Sequence, residues 1–336
     1  MSSQLPAQAG SEERFPLPER SSSVHFGRQD YLSVVLRLVG MELYKIRRRT
    51  MSKILVSIAA ALAILLFVAI AAGVLFVQNA PLENTGNTCP PGQSTSCTTP
   101  SPDELKAQRK IAVEALSTPL RLPASLTLIV QVALTPATIL IIILVGTIVG
   151  GEYSVGTIRL LYTRGPTRTQ FLLGKLGAAF VCSALGLLLM VLLGILTGQL
   201  LNPVSGTPQT FDFLTADWIG RTLLYILIAV FDWFIYAVIA LFFGLLGQAT
   251  AAGIVAALMW YFIEPILSGI LELIGNINHN AFGDFLKAIP DYFISNNMTA
   301  LLANPSNLHA LIVLICYFIV FIGLAWWINA RRDVTT

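Results

Sequence analysis

Six long apolar runs, each bounded by charged or polar residues, recur along the 336-residue chain. The first, at about 54–77 between Lys53 and Glu83, reads ILVSIAAALAILLFVAIAAGVLFV without a charge. The others fall at about 125–150, 172–200, 221–245, 250–273 and 309–329, the fourth and fifth divided by a small, polar stretch at Gly244, Gln248 and Thr250. Twenty apolar residues in a helix rise about 30 Å, the thickness of a bilayer's hydrocarbon core. The pattern therefore predicts an all-α polytopic membrane protein whose six transmembrane helices form one domain over 29–331. An even number of spans puts both termini on one side.

The segments between the runs have their own patterns. Residues 1–28 are polar, hold Ser21, Ser22 and Ser23 and several prolines, and read as a disordered tail. No apolar run follows the initiator Met, so a cleavable signal peptide is not expected. From Gln29 to Arg48, Tyr31, Val34, Val35, Leu38, Leu43 and Ile46 recur near helical spacing with Arg37, Glu42, Lys45 and Arg48 between them. That spacing predicts an N-terminal interfacial amphipathic helix, the alternative being an extension of the first span. The loop at 78–122 contains CPPGQSTSC, so Cys89 and Cys97 are a candidate disulfide, with no nearby His or further Cys to make a metal site. Before the last run, DYFISNNMTALLA follows Ile289 and Pro290 and is too short to cross; it could dip into the outer leaflet under cover of the bundle.

Composition agrees with the pattern. Charged residues make up 12% and hydrophobic ones 55%, with a mean hydropathy of +0.73, which leaves too few polar groups to cover a water-soluble enzyme. A net charge of +3 argues against nucleic acid as a partner, and its placement is more telling than its size. If the termini are cytoplasmic, fifteen Lys and Arg lie inside and six outside, and Lys45, Arg47, Arg48, Arg49 and Lys53 crowd the start of the first span. The positive-inside rule then orients both termini and the last residues, 332–336, to the cytoplasm.

Between the second and third runs the chain reads GGEYSVGTIRLLYTRGPTRTQFLLGKL, residues 150–176. An acidic residue, Glu152, is followed by Gly156, Thr157 and Arg159; Pro166 and Arg168 come next, and Gly174 and Lys175 open the next run. This segment resembles the cytoplasmic coupling helix of ABC transporter permeases of the type-2 exporter class. The basic stretch ELYKIRRRT before the first span, the six spans and the Ile289–Pro290 turn before a short helix extend the resemblance over roughly residues 30–331.

The resemblance implies a permease for a hydrophobic or amphipathic substrate (lipid, peptide or drug) in a plasma membrane, with bacteria the expected source. It also implies a homodimer served by two separate ABC ATPase subunits that carry the ATP and Mg. The chain has no phosphate-binding loop of its own, since Gly174–Lys175 continues into Leu176 and lacks the upstream glycine, so it is expected to be neither an ATPase nor a cofactor protein. Physically, a short helix joining two long spans is a lever. Gly156 allows another surface close, and Arg159, Arg164 and Arg168 offer donors to an acidic partner. The alternative is that these arginines only enforce topology, and that Glu152 ends a helix or pairs within the chain.

Three acidic residues lie inside spans: Asp232, Glu264 and Glu272. An ionised group at mid-bilayer costs about 2.5–3.5 kcal/mol on insertion scales, so each requires an explanation. Counting from the turn near Gly244 puts Asp232 and Glu264 at similar depth on adjacent helices, where they could face a shared polar cavity. The alternative is structural: protonated carboxyls that hydrogen-bond neighbouring helices, with Glu264 meeting backbone groups freed by Pro265. An ion-coupled carrier or channel using these two acids is the alternative function. A membrane-embedded enzyme is a third reading, weakened because His25, His279 and His309 are scattered and no Gly-x-Ser-x-Gly occurs. Gly194 with Gly198, and Ala69 with Gly73, have the spacing that permits close helix approach.

Overall fold

The computed structural model describes residues 31–81, 101–154, 167–206, 208–278 and 280–331. These residues form helices α1 (Tyr31–Arg48), α2 (Thr50–Asn79), α3 (Pro102–Ser117), α4 (Ala124–Leu134), α5 (Pro136–Ser154), α6 (Arg168–Leu201), α7 (Ala216–Gly247), α8 (Thr250–Ile277), α9 (Ala281–Ala288), α10 (Ile294–Ala303) and α11 (Leu308–Arg331). No strand occurs among them. Helices α2, α5, α6, α7, α8 and α11 are long and apolar enough to cross a membrane, so the chain is an all-α, multi-pass membrane protein.

Local chemistry sets where the helices begin. Ser101 accepts from the Glu104 amide while the Glu104 carboxylate accepts from the Ser101 amide at 2.6 Å, a capping box at the head of α3. Thr167 and Gln170 make the same reciprocal pair before α6, and the Thr215 hydroxyl accepts from the Trp218 amide before α7. The turn between α7 and α8 passes through Gln248 at φ 49°, a left-handed residue that ends α7 and lets α8 start at once.

The apolar run at 125–150 is two helices rather than one. Pro136 has no N–H to continue the ladder and its ring displaces the preceding turn, so α4 ends at Leu134 and α5 begins at Pro136. The Thr138 hydroxyl turns back to the Leu134 carbonyl across this break. The third span is longer than its apolar run, starting at Arg168.

Packing is uneven. Within the most apolar window of each span, 67% of α7 is buried against 17% of α8 and 22% of α2 and of α11. Helix α7 is thus the axis of the bundle, with Trp233, Ile235, Ile239 and Leu241 enclosed by α5, α6, α8 and α11. Of the two small-residue pairs, Gly194 and Gly198 sit where a Cβ would press within 2.5 Å of Ile129 Cγ2 and 3.0 Å of Ser125 Cβ, so they seat α4 on α6. Gly73 has nothing within 4 Å and makes no such contact.

After α8 the chain turns back on itself. Helix α9 runs down against α8, and α10 starts level with Glu264, thirteen residues or about 20 Å before the end of α8. The short segment after Pro290 forms α10 and, with α9, makes a helical hairpin that leans on α8 and α11.

Candidate functional site

Two places combine buried charge with helix geometry. The first lies where α5 ends and α6 begins. Helix α1 crosses both, seated by two glycines of α6: a Cβ on Gly174 would lie 2.9 Å from Leu38 Cβ, and one on Gly177 2.6 Å from Val39 Cγ2. This close approach brings together Glu42 and Lys45 of α1, Glu152 of α5 and Lys175 of α6. Lys45 Nζ donates to Glu42 Oε1 at 3.0 Å and to Glu152 Oε1 at 2.9 Å. Lys175 Nζ lies 2.8 Å from Glu152 Oε2 and 3.7 Å from Glu42 Oε1, and its ammonium also sits 4.9 Å above the Phe171 ring. Two cations and two carboxylates cancel, which is what allows Lys175, at 2% exposure, to remain in the bundle.

Lys45 is the partly exposed member. Burial works against its charge, but the hydrogen bond and field of Glu152, aided by Glu42, prevail and hold its ammonium above the ordinary lysine value. Around this cluster, Arg49 donates to the Thr147 carbonyl of α5 at 3.2 Å. Arg168 opens α6 and donates to the Asn329 and Ala330 carbonyls at the end of α11, at 3.3 and 3.0 Å, while Asn329 Nδ2 returns a bond to the Arg168 carbonyl at 2.8 Å.

Glu152 and Arg168, read from the sequence as contacts for a partner, thus engage the chain's own helices. Glu152 does pair within the chain, with Lys45 and Lys175. Gly156, Thr157, Arg159 and Arg164 lie outside the described residues, as do Cys89 and Cys97. Sequence reasoning missed Glu42 as a site residue and used Lys45 and Lys175 only as topology and motif markers. The available signal was that Glu42 and Lys45 are three residues apart on the side of an amphipathic helix that also carries Leu38 and Ile46.

The second place is the hairpin. Glu264 Oε1 accepts from the Ile294 amide at 3.2 Å and from Trp260 Nε1 at 3.1 Å; Oε2 accepts from the Ser295 amide at 3.1 Å. Ile294 and Ser295 are the first residues of α10, whose own N-cap, Phe293, has no capping side chain. A carboxylate from α8 therefore performs the cap, placing negative charge at the positive end of the helix. The polar line continues outward: Asn296 Nδ2 donates to Ser268 Oγ at 3.0 Å and Ser268 to Glu272 at 3.2 Å.

Asp232 lies within α7, 5% exposed. Tyr236, one turn on, packs edge-on against Tyr261 of α8 at 5.1 Å, and Tyr261 is one turn before Glu264. The tyrosine pair puts the two acids at similar depth on neighbouring helices. Yet the oxygens of Glu264 turn to the first amides of α10 and to the indole of Trp260 on α8 itself, not to backbone groups at Pro265, through which α8 runs on unbroken. Of the three histidines His309 alone is described, contacting the Asp291 carbonyl at 3.2 Å, while His25 and His279 lie outside the described residues; among the described residues no group of three His, Cys, Asp or Glu side chains could hold a metal.

Among curated proteins none matches the chain. A family model described as protein of unknown function, DUF2705, matches residues 122–335, the stretch from just before α4 to beyond α11 that contains Glu152, Lys175, Asp232 and the hairpin. With well over half its length matched, the chain belongs to the DUF2705 family.

Proposed function

We propose that this protein is the membrane-spanning permease of an ATP-driven exporter of the ABC type-2 class, acting as a homodimer with two ATPase subunits. One observation carries the reading: the two residues that flank 155–166, Glu152 and Arg168, are both fastened to other helices. Glu152 is joined to α1 and α6 through Lys45 and Lys175, and Arg168 to the end of α11. A push on residues 155–166 is passed at once to four helices, which is what a coupling element needs. The six spans, the amphipathic α1 and the hairpin before α11 support the same reading, as do the motif residues Gly156, Thr157 and Arg159. On this reading the termini are cytoplasmic in a bacterial plasma membrane and the cargo is apolar or amphipathic. Glu264 is occupied as a cap, so it lends nothing to an ion-coupled carrier; only Asp232 favours that second reading.

The test is co-expression with an ATPase encoded beside this chain. The two are expected to purify together, and Gly156→Trp is expected to break the complex while leaving the folded permease intact. Cargo movement by the purified chain in vesicles without any nucleotidase would overturn the proposal.

A further inference from the structure

The basic cluster at the head of the first span divides in two. Lys45 and Arg49 are used internally, on Glu42, Glu152 and the Thr147 carbonyl. Arg37, Arg47 and Arg48 point away from the bundle, and among the described residues no carboxylate pairs with them. Arg48 lies 5.3 Å over the ring of Tyr44, itself exposed. Beside this basic face runs an apolar one: Leu32 and Leu36 are about 70% exposed, and Leu43 continues their stripe at helical spacing.

The position of this surface is fixed. Only Arg49 separates α1 from α2, a helix long and apolar enough to span, so Arg47 and Arg48 lie within a turn of where such a span would enter a membrane. The face of α1 that carries Leu38, Glu42 and Ile46 is already taken by α5 and α6. What remains exposed is an apolar stripe edged by guanidinium groups that no carboxylate among the described residues pairs; laid in a membrane surface, the stripe would reach acyl depth and the guanidinium groups headgroup depth, where phosphate is the group they bind in two-pronged fashion. We propose that the outward face of α1 binds anionic phospholipid headgroups through Arg37, Arg47 and Arg48. Because Lys45, on the same helix, holds Glu152, occupancy of this face steadies the ends of α5 and α6.

The experiment uses the purified full chain in nanodiscs of phosphatidylcholine alone or of phosphatidylcholine with phosphatidylglycerol, and follows hydrogen exchange over residues 31–48. Phosphatidylglycerol is expected to slow exchange there, and added salt to reverse the effect. Each arginine should contribute about fivefold to retention of the anionic lipid. The R37Q/R47Q/R48Q variant is then expected to retain it about a hundredfold less well, and R37K/R47K/R48K, which keeps the charge without the two-pronged geometry, to recover part of the loss, which separates lost charge from lost folding. Equal exchange in the two lipids overturns the proposal. So does a glutamine variant that keeps the lipid effect, or one that loses a chain–chain crosslink in phosphatidylcholine alone, which would assign the face to a second copy. No ATPase is present in the assay, so its failure would leave the proposed function standing.

Discussion

The bundle holds its buried charge in two different ways at its two ends. Where α1 crosses α5 and α6, charge meets charge: Lys175 and Glu152 are 2.8 Å apart, with Glu42 and Lys45 completing a neutral set. At the hairpin a single carboxylate, Glu264, is met by dipoles only, two backbone N–H groups and an indole N–H. The first arrangement joins three helices whose relative positions all matter to the set, since removing one member strands the others. The second joins one short helix to one span and is local. The difference predicts where each end is fragile: the cluster should fail globally, the hairpin by loosening alone.

Lys175→Met tests the first half most severely. It leaves Glu42 and Glu152 buried with one partly exposed lysine between them, and breaking a buried pair from one side costs about 3–5 kcal/mol. The thermal unfolding midpoint of the purified protein in detergent is expected to drop steeply. Glu152→Gln added to Lys175→Met should restore most of the loss, because the stranded charge is then gone as well. A double variant no more stable than the single one would mean that the cluster is not a charge-balanced unit.

Much of this architecture was legible in the sequence, and the exceptions have physical causes. Apolar runs reveal spans because hydrocarbon tolerates little else, so six were evident from Ile54 onward. A proline inside a run gives a weaker signal, since membrane helices tolerate it when neighbours re-satisfy the freed carbonyls; Pro136 therefore split a span that the run made look continuous. The cluster was harder to read. Glu42 and Lys175 are 133 residues apart, and only the glycines at 174 and 177 let α1 approach closely enough for them to meet. Gly174 belongs to a recognisable motif, but its packing against Leu38 depends on a partner helix that no local pattern names. Glu264 was conspicuous as an intramembrane acid, but its role required knowing that the chain folds back to present Ile294 and Ser295.

Glu264→Ala probes the second half with a smaller effect. It removes the acceptors of three hydrogen bonds and the charge facing the start of α10, an N-cap loss of about 2 kcal/mol with little consequence for the spans. Hydrogen exchange at Ile294 and Ser295 is expected to quicken about thirtyfold, the factor that corresponds to about 2 kcal/mol, while residues of α7 are unchanged. Glu264→Gln should fall between, because its amide keeps one acceptor oxygen and gives up the charge. If α7 loosens together with α10, the hairpin is part of the core and the contrast between the two ends collapses.

The smallest effect concerns Lys45, the one member of the cluster that water reaches, with 41% of its side chain exposed. Solvent screening limits its worth to about 1 kcal/mol or less. Its folded value lies above the ordinary lysine one, despite burial, because Glu152 and Glu42 favour the charged form. A raised lysine contributes fully at any pH below its unfolded value and loses that contribution only as pH climbs through the folded value. The gap in unfolding midpoint between the wild type and Lys45→Met should therefore stay constant from neutral to mildly alkaline pH and narrow only in strong alkali. A gap that closes near neutrality would show that Lys45 sheds its proton early, and that Lys175 alone balances two carboxylates. The cluster would then carry a net negative charge in the bundle, and the two ends of the molecule would differ in degree rather than in kind.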